Sequence, residues 1–148
     1  MGMRPSIDEY FSVMAFLVSS RGTCPRRSVG CVLVSADDRV LATGYNGVPS
    51  GFAHCIDEPC EGADCPSGEG LDKCEAIHAE QNALLRAGDV TKIQTAYCTT
   101  APCIHCVKLL LNTGCQRIVF REDYPHSAAS RKLWEKAGRS WHHLELEV

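Results

Sequence analysis

Long hydrophobic runs are absent from this 148-residue sequence, and charge of one sign is not in excess. A transmembrane helix needs about 18 or more consecutive apolar residues, and no segment approaches that length. The start of the chain, from Met1 to Glu9, also lacks the apolar stretch of a secretory signal peptide. With 15 Lys and Arg against 18 Asp and Glu, the net charge is −3, which is not the basic balance that nucleic-acid binding needs. We therefore expect a cytoplasmic protein that binds neither a membrane nor a nucleic acid.

Cysteine, in contrast, is abundant, with 10 residues in a chain long enough to bury a core without disulfides. Cys31, Cys98 and Cys115 lie inside apolar segments, and we interpret them as core residues. The other cysteines lie in loops or at the starts of helices, which favours metal ligation over disulfide formation. We therefore expect a single domain, residues 1–148, that binds a metal.

The hydrophobic pattern predicts helices that alternate with strands. Ser6 and Ser127 are the predicted N-caps of the first and last helices. The predicted elements are a helix at 6–21, strands at 29–34 and 40–43, a helix at 78–87, a strand at 96–99, a helix at 103–112, a strand at 117–120, a helix at 127–137 and a strand at 140–148. This order predicts an α/β fold with three α/β/α layers, in which one mixed sheet of about five strands carries helices on both faces.

A long loop, residues 44–74, separates the predicted hairpin from the second helix and is rich in glycine, proline and cysteine. Loops of this length in compact domains are usually functional or held by a metal. Cys55, Cys60, Cys65 and Cys74 lie close together in it, and four thiolates would bind a structural Zn²⁺. Exposed reduced thiols are the alternative.

Two of the predicted helices begin with metal-binding residues, in the segments His78-Ala-Glu80 and Cys103-Ile-His-Cys106. One imidazole and two thiolates suit Zn²⁺ and leave a fourth position for water, as in catalytic sites. Cys103 and Cys106 are one helical turn apart, and the helix N-terminus favours their thiolate forms. Glu80 lies close to these ligands, where it would move protons to and from the water. A structural zinc site and a redox Cys-x-x-Cys pair are the alternatives.

The sequence resembles the deoxycytidylate (dCMP) deaminase branch of the cytidine deaminase superfamily from about residue 6 to residue 137. His-x-Glu combined with Pro-Cys-x-x-Cys is the signature of zinc deaminases that act on cytosine or adenine. Three segments carry the resemblance: Thr43-Gly-Tyr-Asn-Gly-Val-Pro-Ser-Gly51, His78-Ala-Glu-Gln-Asn-Ala83 and Thr99-Thr-Ala-Pro-Cys-Ile-His-Cys106. The last two mark the superfamily, and the first, with Asn82, indicates the nucleotide-monophosphate branch. The resemblance implies a cytidine deaminase-like fold and zinc-dependent hydrolysis of dCMP to dUMP and ammonia, which would supply dUMP for thymidylate synthesis.

The resemblance also implies roles for residues around the catalytic Zn²⁺. The Ala79 amide would lie near the pyrimidine O2, and backbone groups of Thr100 and Ala101 would lie near the leaving amine. Asn46 would bind the deoxyribose 3′-hydroxyl, unless it is a turn residue with left-handed backbone.

The 5′-phosphate of such a substrate needs cations. Arg26 and Arg27 form the most concentrated basic pair of the chain and are the candidates, unless they are a solvated edge. Tyr124 is a candidate for stacking or sugar packing.

Some dCMP deaminases carry a second, structural Zn²⁺. The resemblance selects four ligands for it here, with Cys65 spare and His54 in reserve, namely Cys24, Cys55, Cys60 and Cys74. Members of this branch are commonly hexamers that dCTP activates and dTTP inhibits, so the resemblance implies a homo-oligomer that senses a triphosphate. Candidate sensing residues are Tyr45, Gly47, Asn82 and Arg86.

Other deaminases share the metal triad, so the substrate stays open at this point. Cytidine, guanine, a riboflavin precursor, tRNA adenosine and dCTP are alternative substrates, and the net charge of −3 weighs against tRNA. A non-catalytic zinc-binding module is the alternative from another class, against which the intact Glu80 argues.

Overall fold

The computed structural model describes residues 4–23, 27–54, 57, 76–123 and 126–146. Its elements are α1 (Ile7–Ser19), β1 (Gly30–Ser35), β2 (Val40–Tyr45), α2 (Ala79–Arg86), β3 (Ile93–Thr100), α3 (Ile104–Leu111), β4 (Arg117–Glu122), α4 (Ser127–Lys136) and β5 (Ser140–His143). The strands form one five-stranded sheet in the order β2-β1-β3-β4-β5. Strand β1 is antiparallel to both neighbours, whereas β3, β4 and β5 are parallel. The predicted order of elements and the mixed sheet are confirmed.

Helices cover both faces of the sheet, as predicted, but unequally. On one face, Phe11 and Ala15 of α1 pack against Val32, Tyr97 and their neighbours. On the other face, α2, α3 and α4 pack over a larger cluster that includes Leu110. The crossovers that contain α3 and α4 step along the sheet in the same direction, so their shared right-handedness places both helices on one face. Within the described ranges, no helix has the length and apolarity to span a bilayer.

The three cysteines interpreted as core residues are buried, which confirms that interpretation: Cys31 and Cys115 are 0% exposed and Cys98 is 2% exposed. The sulfurs of Cys31 and Cys98 lie 3.9 Å apart across β1 and β3. Contact with Cys31 and burial raise the pKa of the Cys98 thiol well above its usual value. All three thiols therefore pack as small hydrophobic groups, and the raised pKa makes Cys98 a poor nucleophile.

The two predicted N-caps differ in outcome. The Ser6 amide donates to Glu9 Oε1 at 2.9 Å and the Glu9 amide donates to Ser6 Oγ at 3.1 Å, a capping box that confirms Ser6 as the cap of α1. The prediction for Ser127 is wrong, because His126 occupies the N-cap position of α4. Ser127 is instead the first residue of the helix, and its hydroxyl donates to Asp123 Oδ1 at 2.6 Å.

An ion pair attaches α1 to the centre of the sheet. Asp8 accepts hydrogen bonds from the Tyr97 hydroxyl at 2.7 Å and from Arg117 Nη2 at 2.9 Å. Burial acts to raise the pKa of Asp8, but the hydrogen bonds from Arg117 and Tyr97 outweigh it and the pKa is lowered. The three residues thus join α1, β3 and β4 through a charged network.

Helix α2 lies unusually close to β2 because the strand has glycine at the contact. A Cβ atom at Gly44 would lie 2.3 Å from the Ala79 carbonyl oxygen and 2.4 Å from the Ala83 nitrogen. Any larger residue at Gly44 would therefore push α2 away from the sheet. The position of α2 in turn sets the positions of His78 and Glu80 at its start.

Candidate metal centre

Three metal-binding side chains meet where α2 and α3 begin. Nδ1 of His78 lies 3.4 Å from Cys103 Sγ and 3.3 Å from Cys106 Sγ. The three donor atoms all lie within 4.8 Å of one another. A tetrahedral Zn²⁺ with ordinary bond lengths places a nitrogen and a sulfur ligand about 3.5 Å apart. The spacing and softness of this donor set therefore fit Zn²⁺, as the sequence predicts.

The two thiols have unequal surroundings. A hydrogen bond with Cys106, helped by His78, lowers the pKa of Cys103 to about 4. Contact with Cys103 and burial raise the pKa of Cys106 well above its usual value. The thiolate form is therefore favoured at Cys103, at the N-terminus of α3, and the proton at Cys106. Binding of a metal by both sulfurs would release that proton.

Glu80 lies beside the donor set in the first turn of α2 and is only 4% exposed. Burial raises the pKa of its carboxyl group, although a hydrogen bond with Cys106 and the charge of His78 act in the opposite direction. Among the described residues, the converging donors come from His78, Cys103 and Cys106 alone. The carboxyl group thus remains available for proton transfer.

Gln81, which the sequence analysis missed, contacts one of the ligands. Its Oε1 accepts a hydrogen bond from the backbone amide of His78 at 3.0 Å. The signal was present in the sequence, because a glutamine three residues after a helix N-cap is a capping-box pattern.

Asn46 is buried and holds the segment that precedes β1. Its Nδ2 donates to the Arg27 carbonyl at 2.7 Å, and its Oδ1 accepts from the Val29 amide at 2.9 Å. Asn46 is not among the described non-glycine residues with positive φ, so the alternative of a left-handed turn residue is wrong. Thr99, also missed from the sequence, holds the first residue of β1, because its Oγ1 accepts from the Gly30 amide at 3.1 Å.

The backbone positions expected near the substrate are buried at the same end of the sheet: Ala79 is 1% exposed, Ala101 2% and Thr100 5%. The Ala101 amide donates to the Glu122 carbonyl at 2.9 Å. An amine donates hydrogen bonds, so any role of this segment beside the leaving amine would fall to its carbonyl oxygens. The other predicted site residues lie outside the described residues and stay predictions: Cys24, Arg26, Cys55, Cys60, Cys65, Cys74 and Tyr124.

A cavity of about 570 Å³ lies on the side of α2 that faces the loop after α1. Arg21 and Arg86 give it positive charge, and Tyr45 and Phe52 give it aromatic rings. All four predicted effector residues line it, namely Tyr45, Gly47, Asn82 and Arg86.

The loop that follows β2 lines this cavity and is called the cavity loop. Its backbone is joined to the chain at the metal centre. The Ile77 amide donates to the Gly47 carbonyl at 2.7 Å, and the Gly47 amide donates to the Ile77 carbonyl at 3.1 Å. Asn82 Nδ2 donates to the Tyr45 carbonyl at 2.8 Å. The loop therefore contacts the residue before His78 and one face of α2.

Comparison with known proteins identifies relatives. The chain is 41% identical over 138 residues to the deoxycytidylate deaminase of Saccharomyces cerevisiae, an alignment that covers 92% of this chain and 44% of the yeast protein. It is 38% identical over 148 residues to ComE operon protein 2 of Bacillus subtilis, which covers 97% of this chain and 74% of that protein. The chain thus spans less than half of the yeast relative's length.

A solved structure agrees with the sequence relatives. The dCMP deaminase of cyanophage S-TIM5, in complex with dCMP and dUMP, superposes with a TM-score of 0.76 at 28% identity. The superposition covers 96% of this chain and 99% of the phage chain. The predicted cytidine deaminase-like fold is thereby confirmed.

The family comparison covers the metal centre itself. Residues 5–122 match the family model described as the cytidine and deoxycytidylate deaminase zinc-binding region. That range contains His78, Glu80, Cys103 and Cys106 together with most of the sheet. The chain therefore belongs to the cytidine and deoxycytidylate deaminase family.

Proposed function

We propose that this protein is a zinc-dependent hydrolase that converts dCMP to dUMP and ammonia, which supplies dUMP for thymidylate synthesis. The observation that carries the proposal is the convergence of His78, Cys103 and Cys106 beside the buried carboxyl group of Glu80. The substrate follows from the relatives, since the yeast protein is named a deoxycytidylate deaminase and the phage enzyme binds dCMP and dUMP.

The metal and Glu80 divide the chemistry between them. A Zn²⁺ held by the three ligands would lower the pKa of a water molecule toward neutrality. Glu80 accepts a proton from the attacking water and delivers it to N3 of cytosine as the water oxygen bonds to C4. Glu80 then carries the second proton of that water to the exocyclic nitrogen, and the C4–N bond breaks to release ammonia. The raised pKa of Glu80 suits a group that holds a proton between two transfers.

The residues around the metal centre would orient the base and the sugar. The Ala79 amide would donate to O2 of the base, and carbonyl oxygens of Thr100 and Ala101 would accept from the leaving amine. Asn46 uses one amide hydrogen and one oxygen lone pair on the segment before β1. The second hydrogen and lone pair of its amide group would bind the deoxyribose 3′-hydroxyl.

The segment that Asn46 holds would also carry the phosphate site. Because the Arg27 carbonyl is fixed by Asn46, the backbone that presents its guanidinium group is fixed as well. We propose that Arg27, with Arg26 beside it in sequence, binds the 5′-phosphate through guanidinium hydrogen bonds. Tyr124, which follows β4 in sequence, would pack on the sugar.

We propose that the cavity beside α2 binds a deoxynucleoside triphosphate, with dCTP as activator and dTTP as inhibitor. Arg21 and Arg86 supply charge for phosphates, and the rings of Tyr45 and Phe52 supply apolar surface for a base or sugar. The backbone bonds between Gly47 and Ile77 give the cavity loop direct contact with the chain at His78.

We also propose that the chain forms a homo-oligomer, a hexamer by family resemblance. Leu17 is 70% exposed and Leu85 77% exposed, which supports burial of these helix faces on assembly.

A second, structural Zn²⁺ would be held by Cys24, Cys55, Cys60 and Cys74. A reducing cytoplasm would keep the thiolate ligands Cys103 and Cys106 competent for metal.

The proposal is tested by removing the metal with a chelator and returning Zn²⁺ while dUMP and ammonia are measured with dCMP as substrate. We expect turnover to fall below about 1% without metal, to return with Zn²⁺, and to give equal amounts of the two products. Cys106→Ala is the matched variant and should stay inactive after zinc is returned. Turnover that survives complete metal removal would overturn the proposal.

A further inference from the structure

The backbone of the metal ligand His78 is held at both of its polar groups. Its amide donates to Gln81 Oε1 at 3.0 Å, and its carbonyl accepts from the Asn82 amide at 3.0 Å. His78 has φ −67° and ψ 152°, an extended conformation, and the helix begins at the next residue. The ligand therefore occupies the N-cap position of α2, where backbone amides otherwise lack a partner within the helix.

We propose that Gln81 is a positioning residue for the metal centre and holds His78 in its ligating orientation before the metal binds. The proposal concerns this chain's own Gln81 and rests on the metal centre of the proposed function. Gln81 acts through the backbone of His78. Its side chain is a neutral amide and adds no charge beside the donor set.

The physical reason lies in the short reach of an imidazole ligand. Its donor nitrogen must lie about 2.0–2.1 Å from Zn²⁺, so a small rotation of the residue's backbone misplaces it. The Ile77 backbone before His78 is already fixed by Gly47, and the Asn82 amide fixes the carbonyl after it. The His78 amide lies between these restraints, and the Gln81 bond prevents this N-cap residue from fraying away from α2.

Gln81→Met and Gln81→Glu separate this role from general helix stability. Methionine has similar size but no acceptor, whereas glutamate keeps an acceptor oxygen at the same reach and is the preferred partner in a capping box. Groups that hydrogen-bond to a metal ligand and orient it typically contribute about 10- to 100-fold to metal affinity. We therefore expect Gln81→Met to release zinc about 10-fold faster than the unaltered protein and Gln81→Glu to release it within about twofold of that protein.

The measurement is the rate of zinc transfer to a large excess of the colorimetric chelator 4-(2-pyridylazo)resorcinol, with substrate absent. The phase that belongs to this centre is identified as the one missing in Cys106→Ala, which separates it from any structural zinc. Glu9→Met is the matched control, since it removes the equivalent bond from the Ser6 amide in the capping box of α1. This control should lower the melting temperature without changing the rate of zinc release.

Three results would overturn the proposal. Gln81→Met could release zinc at the unaltered rate, Gln81→Glu could release it as fast as Gln81→Met, or Glu9→Met could accelerate release as much as Gln81→Met. Zinc release is read without dCMP, so these results are independent of which base the enzyme deaminates. An unaltered protein that binds no zinc at His78 would overturn both this proposal and the proposed function.

Discussion

Nδ1 of His78 lies 3.3 Å from Sγ of Cys106, although the two residues are 28 positions apart in the chain. Their helices, α2 and α3, begin at the same edge of the sheet, and close packing against β2 fixes the position of α2. The separation is near that of two ligands on one tetrahedral ion. The metal centre is therefore a product of how two helix starts are placed.

Glu80→Gln should abolish catalysis and spare the metal. Glutamine preserves the size of the buried side chain but cannot take up a proton, so turnover of dCMP should fall by about 10²–10⁴-fold. Zinc content should stay near that of the unaltered protein, because the ligands are untouched. Ammonia release and zinc content are the two measurements, and turnover that survives this change would refute the role of Glu80.

Gly44→Ala should destabilise the protein and weaken zinc retention together. The new Cβ would lie 2.3 Å from the Ala79 carbonyl oxygen, so α2 must shift, at a cost of about 1–3 kcal/mol. Gly138→Ala is the control, since its Cβ meets nothing within 4 Å and its φ of 75° alone is strained. Denaturant unfolding and zinc release should show that only Gly44→Ala affects the metal, and equal effects on zinc would contradict the close-packing argument.

Asp8→Asn should lower the free energy of unfolding by about 1–2 kcal/mol at neutral pH, because it weakens charged hydrogen bonds to Arg117 and Tyr97. Burial raises the pKa of Asp8, but the bonds from Arg117 and Tyr97 and the charges of Arg117 and His142 lower it overall. A carboxyl group with a lowered folded-state pKa stabilises the fold above its unfolded value of about 3.9 and loses that contribution as the pH falls through the folded value.

The pH dependence supplies the check on that network. The stability difference between the unaltered protein and Asp8→Asn should be constant near neutrality and shrink below about pH 4. Urea unfolding at several pH values measures it, and a difference that does not change with pH would show that the network is not electrostatic.

Arg86→Ala should weaken the response to dCTP. Arg86 lines the cavity beside α2 and is exposed, so its removal takes a phosphate partner without disturbing the core. We expect the dCTP concentration for half-maximal activation to rise by about 10-fold or more. Arg131→Ala is the control, because Arg131 lies on α4 and pairs with Glu135 at 3.1 Å. An unchanged response in Arg86→Ala would remove this cavity as the effector site.

Much of the site could be predicted because its signals are local in sequence. His-x-Glu and Cys-x-x-Cys state the ligand types and their spacing, and each motif begins a helix that the hydrophobic pattern also predicts. The order of elements and the mixed sheet followed from the same pattern. Strand ends did not, since β3 begins at Ile93, where pairing with Ser35 of β1 extends it beyond the predicted start at 96.

Individual hydrogen bonds between residues that are far apart in the chain could not be predicted from the sequence. Asp8 and Arg117 pair across 109 positions, and nothing in either local segment indicates the other. The double hydrogen bond of Asn46 to the segment before β1 was likewise unforeseen, because an asparagine beside glycines is typical of a turn. Tertiary packing determines which side chain bonds to which distant backbone group. Local periodicity carries no information about that packing.

The most direct test of the account is a comparison of ammonia release from dCMP, CMP, dCTP, deoxycytidine and adenosine by the same zinc-loaded protein, each with and without dCTP or dTTP as effector. A deaminase whose site includes a phosphate-binding arginine should act on dCMP at least about 100-fold more efficiently than on deoxycytidine. Each hydrogen bond to a charged group contributes about 1.5–3 kcal/mol, and a guanidinium group often makes two such bonds to a phosphate. Equal rates for dCMP and deoxycytidine, or no ammonia from any of these compounds, would contradict the proposed dCMP deaminase activity.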